Sequence, residues 1–371
     1  MDQIRYLAQI PKCINALCNV GGLEVRVAAT QTVSLHPHFA STDSIWYQNW
    51  SNLSVVSLHQ PSVDSGVLSE EIFKMSEDHN YRDKSFTLRD GIKVPAIGLG
   101  TYRVNNYDIV YETMNNALAR GYRLFDTAAI YGNEEHLGRA LRELLPQHNL
   151  QREDVFITTK LAPSVNNKSV RRAFNRSLTN LGLDYLDMYL INFPGYAKQN
   201  PKGALNKKRR EETWLAIVKL YDEGKVNAVG VSNFTLKHLR ELTDVMAIGP
   251  MVNQIEYHPY YVDTELMQYC LQNNILVQAY NSFGGLSLRN NDLMEDPVVK
   301  KIANKHEVTN SQVLLAWALQ RGVAVIPKSV TPEHMEENIM INLKLTERQM
   351  LSLDALAVKN KKYSWDPIHI A

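Results

Sequence analysis

The chain has 371 residues, 44% of them hydrophobic, and a formal net charge of +1, so it can bury a sizeable core but lacks the basic excess of a nucleic-acid binder. Its three cysteines, Cys13, Cys18 and Cys270, form neither an even-numbered disulfide framework nor a metal-type spacing, which points to a reduced, cytoplasmic protein with no metal. No apolar run is long enough to span a bilayer, which excludes a membrane-spanning class and leaves a soluble protein as the expectation.

Residues 1–80 show no sustained periodicity. Short apolar pieces such as Ile14 to Val20 are broken by Gly21-Gly22, and Ser, His, Gln and Asn dominate from Gln31 to Ser65. We read this stretch as a poorly ordered extension without defensible chemistry; a targeting segment and an addition ahead of a start at Met75 are the competing readings. A transit peptide is disfavoured because Asp2 and Glu24 offset Arg5, Lys12 and Arg26.

Residues 81–371 have a different character. Phe86 to Val94 reads as two short strands joined at Asp90-Gly91, a dipeptide suited to the positive φ of a tight turn. Helical patterns follow at Val110 to Arg120, Lys168 to Leu181, Glu212 to Glu223, Leu236 to Thr243, Thr264 to Asn273, Pro297 to His306 and Ser311 to Arg321. Interleaved with them are eight apolar strands: Ile97 to Thr101, Arg123 to Ala128, Val155 to Leu161, Leu186 to Asn192, Ala228 to Asn233, Val252 to Tyr257, Leu276 to Asn281 and Val323 to Ser329. Near-continuous apolar strands alternating with helices predict a parallel sheet covered on both faces, closed as an α/β (β/α)8 TIM-type barrel with an N-terminal β-hairpin cap. An open doubly wound sheet is the alternative, but no strand is followed by a dinucleotide glycine fingerprint.

In a barrel, chemistry sits at the C-terminal strand ends and the loops after them. These positions are Thr101, Asp126 with Tyr131, Lys160, Asn192 with Phe193, Ser232-Asn233, Gln254, Tyr280 and Lys328-Ser329. A phenol is a weak acid at neutral pH; a neighbouring ammonium lowers its pKa, and a carboxylate fixes that ammonium. Tyr131, Lys160 and Asp126 thus read as a general acid with its tuning groups. A structural salt bridge explains Lys160 and Asp126 equally well when they are taken alone. Ser232, Asn233 and Gln254 suit a planar carboxamide and Tyr280 a flat ring, the two parts of a nicotinamide. Lys328 and Ser329, ahead of a helix start with Thr331 at its N-cap and Pro332 in its first turn, suit an anion.

The segment from about Phe86 onward resembles the aldo-keto reductases. The likeness is carried by Gly121-Tyr-Arg-Leu-Phe-Asp-Thr-Ala with Glu134 and Leu137-Gly138, by Gly224-Lys-Val to Gly230-Val-Ser-Asn-Phe234, by Val252-Asn-Gln-Ile-Glu-Tyr-His-Pro259 and by Ile326-Pro-Lys-Ser329. The resemblance implies NADPH laid across the strand ends of a monomeric barrel, with hydride delivered to a small-molecule aldehyde or ketone. It implies Tyr131 as proton donor, Lys160 and Asp126 as its tuners, and Ser232, Asn233 and Gln254 on the carboxamide. Tyr280 then stacks under the nicotinamide, while Thr101, Lys328, Ser329, His334 and Asn338 serve the rest of the cofactor.

Two positions depart from that pattern. Asn192 stands where the family usually has a histidine; it can donate a hydrogen bond but cannot titrate. The related potassium-channel β subunits also carry an asparagine there, which makes a regulatory or redox-sensing subunit with slow or vestigial reductase activity the alternative reading. His334 stands where an arginine usually contacts the 2′-phosphate, so NADH is admitted beside NADPH. The resemblance also implies a pocket-walling C-terminal loop, to which Trp365 contributes either a wall or an anchor. Lys207 to Arg210 reads as a solvated basic loop rather than a nuclear signal.

Overall fold

The computed structural model describes residues 80–371, apart from 166, 198, 244 and 245, together with the backbone of two short strands nearer the start. Those strands, β1 (Cys18–Val20) and β2 (Leu23–Val25), pair antiparallel within a first unit, Met1–Ser69. The expectation that residues 1–80 are poorly ordered otherwise lies outside the described residues.

In the second unit, Asp90 and Gly91 take φ of 69° and 79°, the left-handed pair that reverses a short hairpin. Strands β3 (Ser85–Thr87) and β4 (Lys93–Pro95) pair antiparallel around it, Phe86 opposite Val94. Tyr221 donates to the Asp90 carboxylate at 2.7 Å, and Arg89 to the Gly249 carbonyl. Both partners lie where the chain is about to enter a barrel strand, so the hairpin sits under the N-terminal end of the barrel.

Eight parallel strands follow in sequential order: β5 (Leu99–Gly100), β6 (Leu124–Asp126), β7 (Phe156–Leu161), β8 (Leu186–Ile191), β9 (Val226–Ser232), β10 (Val252–Glu256), β11 (Leu276–Tyr280) and β12 (Ala324–Val325). A parallel bridge between Ile97 and Val325 joins the first to the last, reinforced by Gly98 N–H to the Val325 carbonyl at 2.8 Å. The sheet is therefore a closed (β/α)8 barrel. Every residue of β7 and β8 is buried, as expected of strands covered by helices outside and packed side chains inside.

The helices Tyr107–Ala119, Val170–Leu181, Leu236–Thr243, Thr264–Gln272, Pro297–His306 and Asn310–Gln320 match the periodic segments closely. Three elements correct the sequence reading. Glu134–Gln147 and Glu347–Asp354 are helices that had no assignment, the former burying Leu137, Leu141 and Leu144 on one face. The helix ending at Asp222 begins at Leu205, so Lys207 to Arg210 is helical rather than a solvated loop. Arg210 is 1% exposed, paired with Glu241 and donating to the carbonyls of Pro194 at 3.1 Å and Ala371 at 2.7 Å. Among the described residues no helix is long and apolar enough to cross a membrane, no group of side chains has metal-site geometry, and Cys270 is a buried free thiol.

Candidate active site

The barrel brings Asp126, at the end of β6, beside Lys160, the penultimate residue of β7; Asp126 pairs with Thr158 in register, so Lys160 reaches two residues beyond it. Lys160 Nζ lies 2.6 Å from Asp126 Oδ1 and 2.9 Å from the Thr127 carbonyl. Its third contact is the Tyr131 hydroxyl at 3.4 Å, the long end of hydrogen-bond range. Tyr131 is delivered by a 3-10 turn, Ala129–Tyr131, closed by Gly132 at φ 69°. Its ring lies 5.1 Å from that of Tyr102.

The electrostatics differ from the sequence expectation. Burial, then the Asp126 charge, push the Tyr131 phenol well above its ordinary value, and the Lys160 ammonium does not reverse this. Burial also pulls Lys160 below its ordinary range, against the opposing pull of Asp126. The phenol is consequently held neutral, a stored proton that moves only to a strong base such as a developing alkoxide.

Two polar residues absent from the sequence reading complete this cluster. Gln254 donates through Nε2 both to Asp126 Oδ2 and to Gln278 Oε1, each at 2.8 Å. The Asp126 carboxylate is thereby gripped by Lys160 on one oxygen and Gln254 on the other. Asn133 donates to the carbonyls of Thr101 at 3.0 Å and Val104 at 2.8 Å and accepts from Thr127 at 2.6 Å, tying the loops after β5 and β6 together. Thr101 Oγ1 donates to the Asp126 carbonyl at 2.9 Å. The signal for Gln278 was a polar residue inside a buried strand, directly opposite Gln254 in register; Asn133 carried no comparable signal.

Ser232, Asn233 and Tyr280 are also brought together, through hydrogen bonds to one another. Asn233, at φ 65°, donates to the Asn192 carbonyl at 2.9 Å and Ser232 Oγ at 3.1 Å, and accepts from the Tyr280 hydroxyl at 2.5 Å. Ser232 in turn donates to the Gln254 carbonyl at 2.9 Å. The amide donors are thus spent within the protein, and what this ring still offers a ligand is acceptor capacity on Gln254 Oε1 and Asn233 Oδ1. That suits the N–H2 of a carboxamide. Asn192 Nδ2 and Gln278 Nε2 are the exceptions: each is a buried donor with no hydrogen-bond partner, Asn192 being 3% exposed. An orphaned amide donor beside the cluster is where a ligand oxygen is wanted.

The anion end lies on the loop after β12. Gly100 N–H donates to the Pro327 carbonyl, which sets Lys328 next to the Thr101 turn. Ser329 Oγ accepts from Thr331 N–H at 3.1 Å, and the Thr331 side chain makes no cap bond to the helix Pro332–Ile339. Burial, and then the charge of Arg103, hold Lys328 below its ordinary range. This donor set suits phosphate. Along the same helix His334 is exposed and Asn338 is 2% exposed. A second recess of about 700 Å3, lined by Lys93, Arg123, Asp187 and Asn227 among others, opens at the opposite end of the barrel, away from all of these groups.

Residues 96–358 match the family model described as the Aldo/keto reductase family. The chain is 39% identical over 271 residues to a glyoxal reductase of Bacillus subtilis (strain 168), covering 72% of this chain and 91% of that protein. It is 35% identical to an NAD(P)H-dependent D-xylose reductase of Kluyveromyces lactis, covering 74% and 93%. Among solved structures, the aldose reductase from Schistosoma japonicum superposes with a TM-score of 0.68 at 33% identity, covering 75% of this chain and 93% of that one.

Proposed function

The chain belongs to the aldo/keto reductase family, an NAD(P)H-dependent oxidoreductase class, and from that premise we propose that it reduces a small aldehyde or ketone to the alcohol with NADPH. The observation that carries the proposal is the line Asp126–Lys160–Tyr131, with Oδ1–Nζ at 2.6 Å and Nζ–Oη at 3.4 Å, together with the unpartnered amide of Asn192 just past the end of the adjacent strand β8. Bound nicotinamide supplies the hydride. Tyr131 gives its proton to the carbonyl oxygen as negative charge develops there, and Lys160, fixed by Asp126, stabilises the phenolate left behind. Asn192 Nδ2 donates a hydrogen bond to the same oxygen, which a histidine is not required to do. Ser232, Asn233 and Gln254 hold the carboxamide, with Tyr280 under the ring. Lys328, Ser329, His334 and Asn338, joined by Arg103, take the adenosine phosphate end, and Thr101 contacts the cofactor from the strand end beside Asp126.

The test is turnover of NADPH by the pure protein with a panel of aldehydes, glyoxal and aldoses among them, with Tyr131→Phe as control. The proposal expects turnover that the variant loses by a factor of about 100 or more while keeping cofactor affinity. Equal rates for the two proteins would overturn it. Cytoplasmic, monomeric action completes the reading.

A further inference from the structure

Glu256, in the motif Val252 to Pro259, has no part in the cofactor reading, yet it is 1% exposed at the last position of β10 and opposite Tyr280 in register. Its four acceptor sites are all taken. Oε1 accepts from Tyr363 N–H at 2.6 Å and His258 Nε2 at 3.1 Å; Oε2 accepts from Ser364 N–H at 2.9 Å and Lys362 Nζ at 3.1 Å. Three of those donors belong to one short stretch of chain more than one hundred residues away. A buried carboxylate with two backbone N–H groups and an ammonium on it is a clamp.

The clamped stretch crosses the candidate site. The Ser364 side chain lies beside the Tyr280 phenol, and the Trp365 ring stands edge-on to Phe193 with centroids 6.0 Å apart, next to Asn192. On its other side the Tyr363 ring is packed so closely on the loop after β11 that a Cβ at Gly285 would stand 2.6 Å from it. Tyr363 and Lys361 both reach Asp292, and Lys359 reaches Asp296 at 2.8 Å, which anchors the stretch upstream. Burial pushes the Glu256 carboxyl up, but His258, Lys362 and the Tyr363 amide outweigh it and leave it below its ordinary range.

We propose that Glu256 is a positioning residue: its carboxylate straps Lys362 to Trp365 over the mouth of the barrel, so that Trp365 and Phe193 form the wall against which a bulky carbonyl substrate is held. The proposal rests on the reductase reading of the site. Glu256→Gln turns one oxygen into an N–H2 group facing two donors, which releases one end of the strap without touching Tyr131, Lys160 or Asn192.

The experiment measures kcat and KM for an aromatic aldehyde and for glyoxal, with NADPH affinity by fluorescence, in Glu256→Gln, Trp365→Ala and the double variant. Both single variants raise KM for the aromatic aldehyde by about tenfold, with kcat and NADPH affinity within about twofold and glyoxal little affected. The double variant is no worse than either single one, because both remove the same wall. Amide exchange at Tyr363 and Ser364 is slow in the wild type and fast in Glu256→Gln. Unchanged KM in a folded Glu256→Gln, additive effects, or rapid exchange of those two amides in the wild type overturns the proposal. The last measurement and Trp365→Ala decide the matter where Glu256→Gln fails to fold. Absence of any wild-type turnover instead overturns the reductase reading, and the exchange data still report on the strap.

Discussion

Asp126 and Lys160 form a wholly buried ion pair, Oδ1 to Nζ 2.6 Å, with side chains 3% and 1% exposed. Removing one partner leaves a charge in the barrel interior. Lys160→Met is expected to cost roughly 3–5 kcal/mol of stability, because the Asp126 carboxylate keeps only the Gln254 hydrogen bond. Asp126→Asn with Lys160→Met removes both charges and recovers most of that loss. Urea unfolding of the three proteins measures it. A single variant within about 1 kcal/mol of the wild type would show the pair to be solvated in solution.

Asn192 decides between a working reductase and a vestigial one. Its Nδ2 is a buried donor without a partner, which is the state of a group waiting for a ligand oxygen. Asn192→Leu is expected to lower kcat by about 10²–10³ with NADPH affinity unchanged, as for loss of one oxyanion donor. Asn192→His is expected to lower the rate too, since the site is built around an amide. A rise in rate on Asn192→His would favour the regulatory subunit.

Much of the barrel and of Asp126, Tyr131 and Lys160 was legible in the sequence, because strands buried on both faces must be apolar and their polar ends stand out. What escaped depends on partners far along the chain. Arg210 sits in a basic run that looks solvated, yet it is buried with Glu241, Pro194 and Ala371 as its polar partners. The helix Glu134–Gln147 carries Pro146 next to its last residue, a residue type that a local reading takes as a helix breaker. The strand ends bring the amides together in one place, but the direction of their hydrogen bonds, spent on one another and on Asp126, follows from distances that no local pattern encodes. The upward Tyr131 shift is likewise set by tertiary placement, through burial and then the Asp126 charge.

On the proposed reading of the cofactor site, preference between NADPH and NADH turns on the helix Pro332–Ile339. Lys328 precedes its start, whereas His334 is exposed on its side and offers no fixed bidentate charge. His334→Arg is expected to tighten NADPH by about tenfold and leave NADH unchanged, the worth of one charge-assisted pair. Lys328→Met weakens NADPH by a similar factor. Fluorescence titration with both cofactors measures each, and equal tightening of NADH by His334→Arg would place the residue away from the 2′-phosphate.

His238 gives the fold an acid limit. It is 1% exposed, bonded through Nδ1 to the Thr235 hydroxyl at 3.0 Å and through Nε2 to the Ile370 carbonyl at 3.0 Å. Burial, then the charge of Arg210, lowers its pKa from 6.5 to about 4. The unfolded chain therefore binds a proton near pH 6.5 that the folded chain refuses until about pH 4, so stability rises with pH across that window. The contribution is present above pH 6.5 and lost as the pH falls toward 4, a difference of 2.5 units worth about 3 kcal/mol. His238→Asn cannot titrate, and its unfolding free energy is expected to lose that much less than the wild type between pH 7 and pH 4. Identical pH slopes for the two proteins would mean that His238 takes up its proton in the folded state at its ordinary pKa, with the Ile370 contact opened to water.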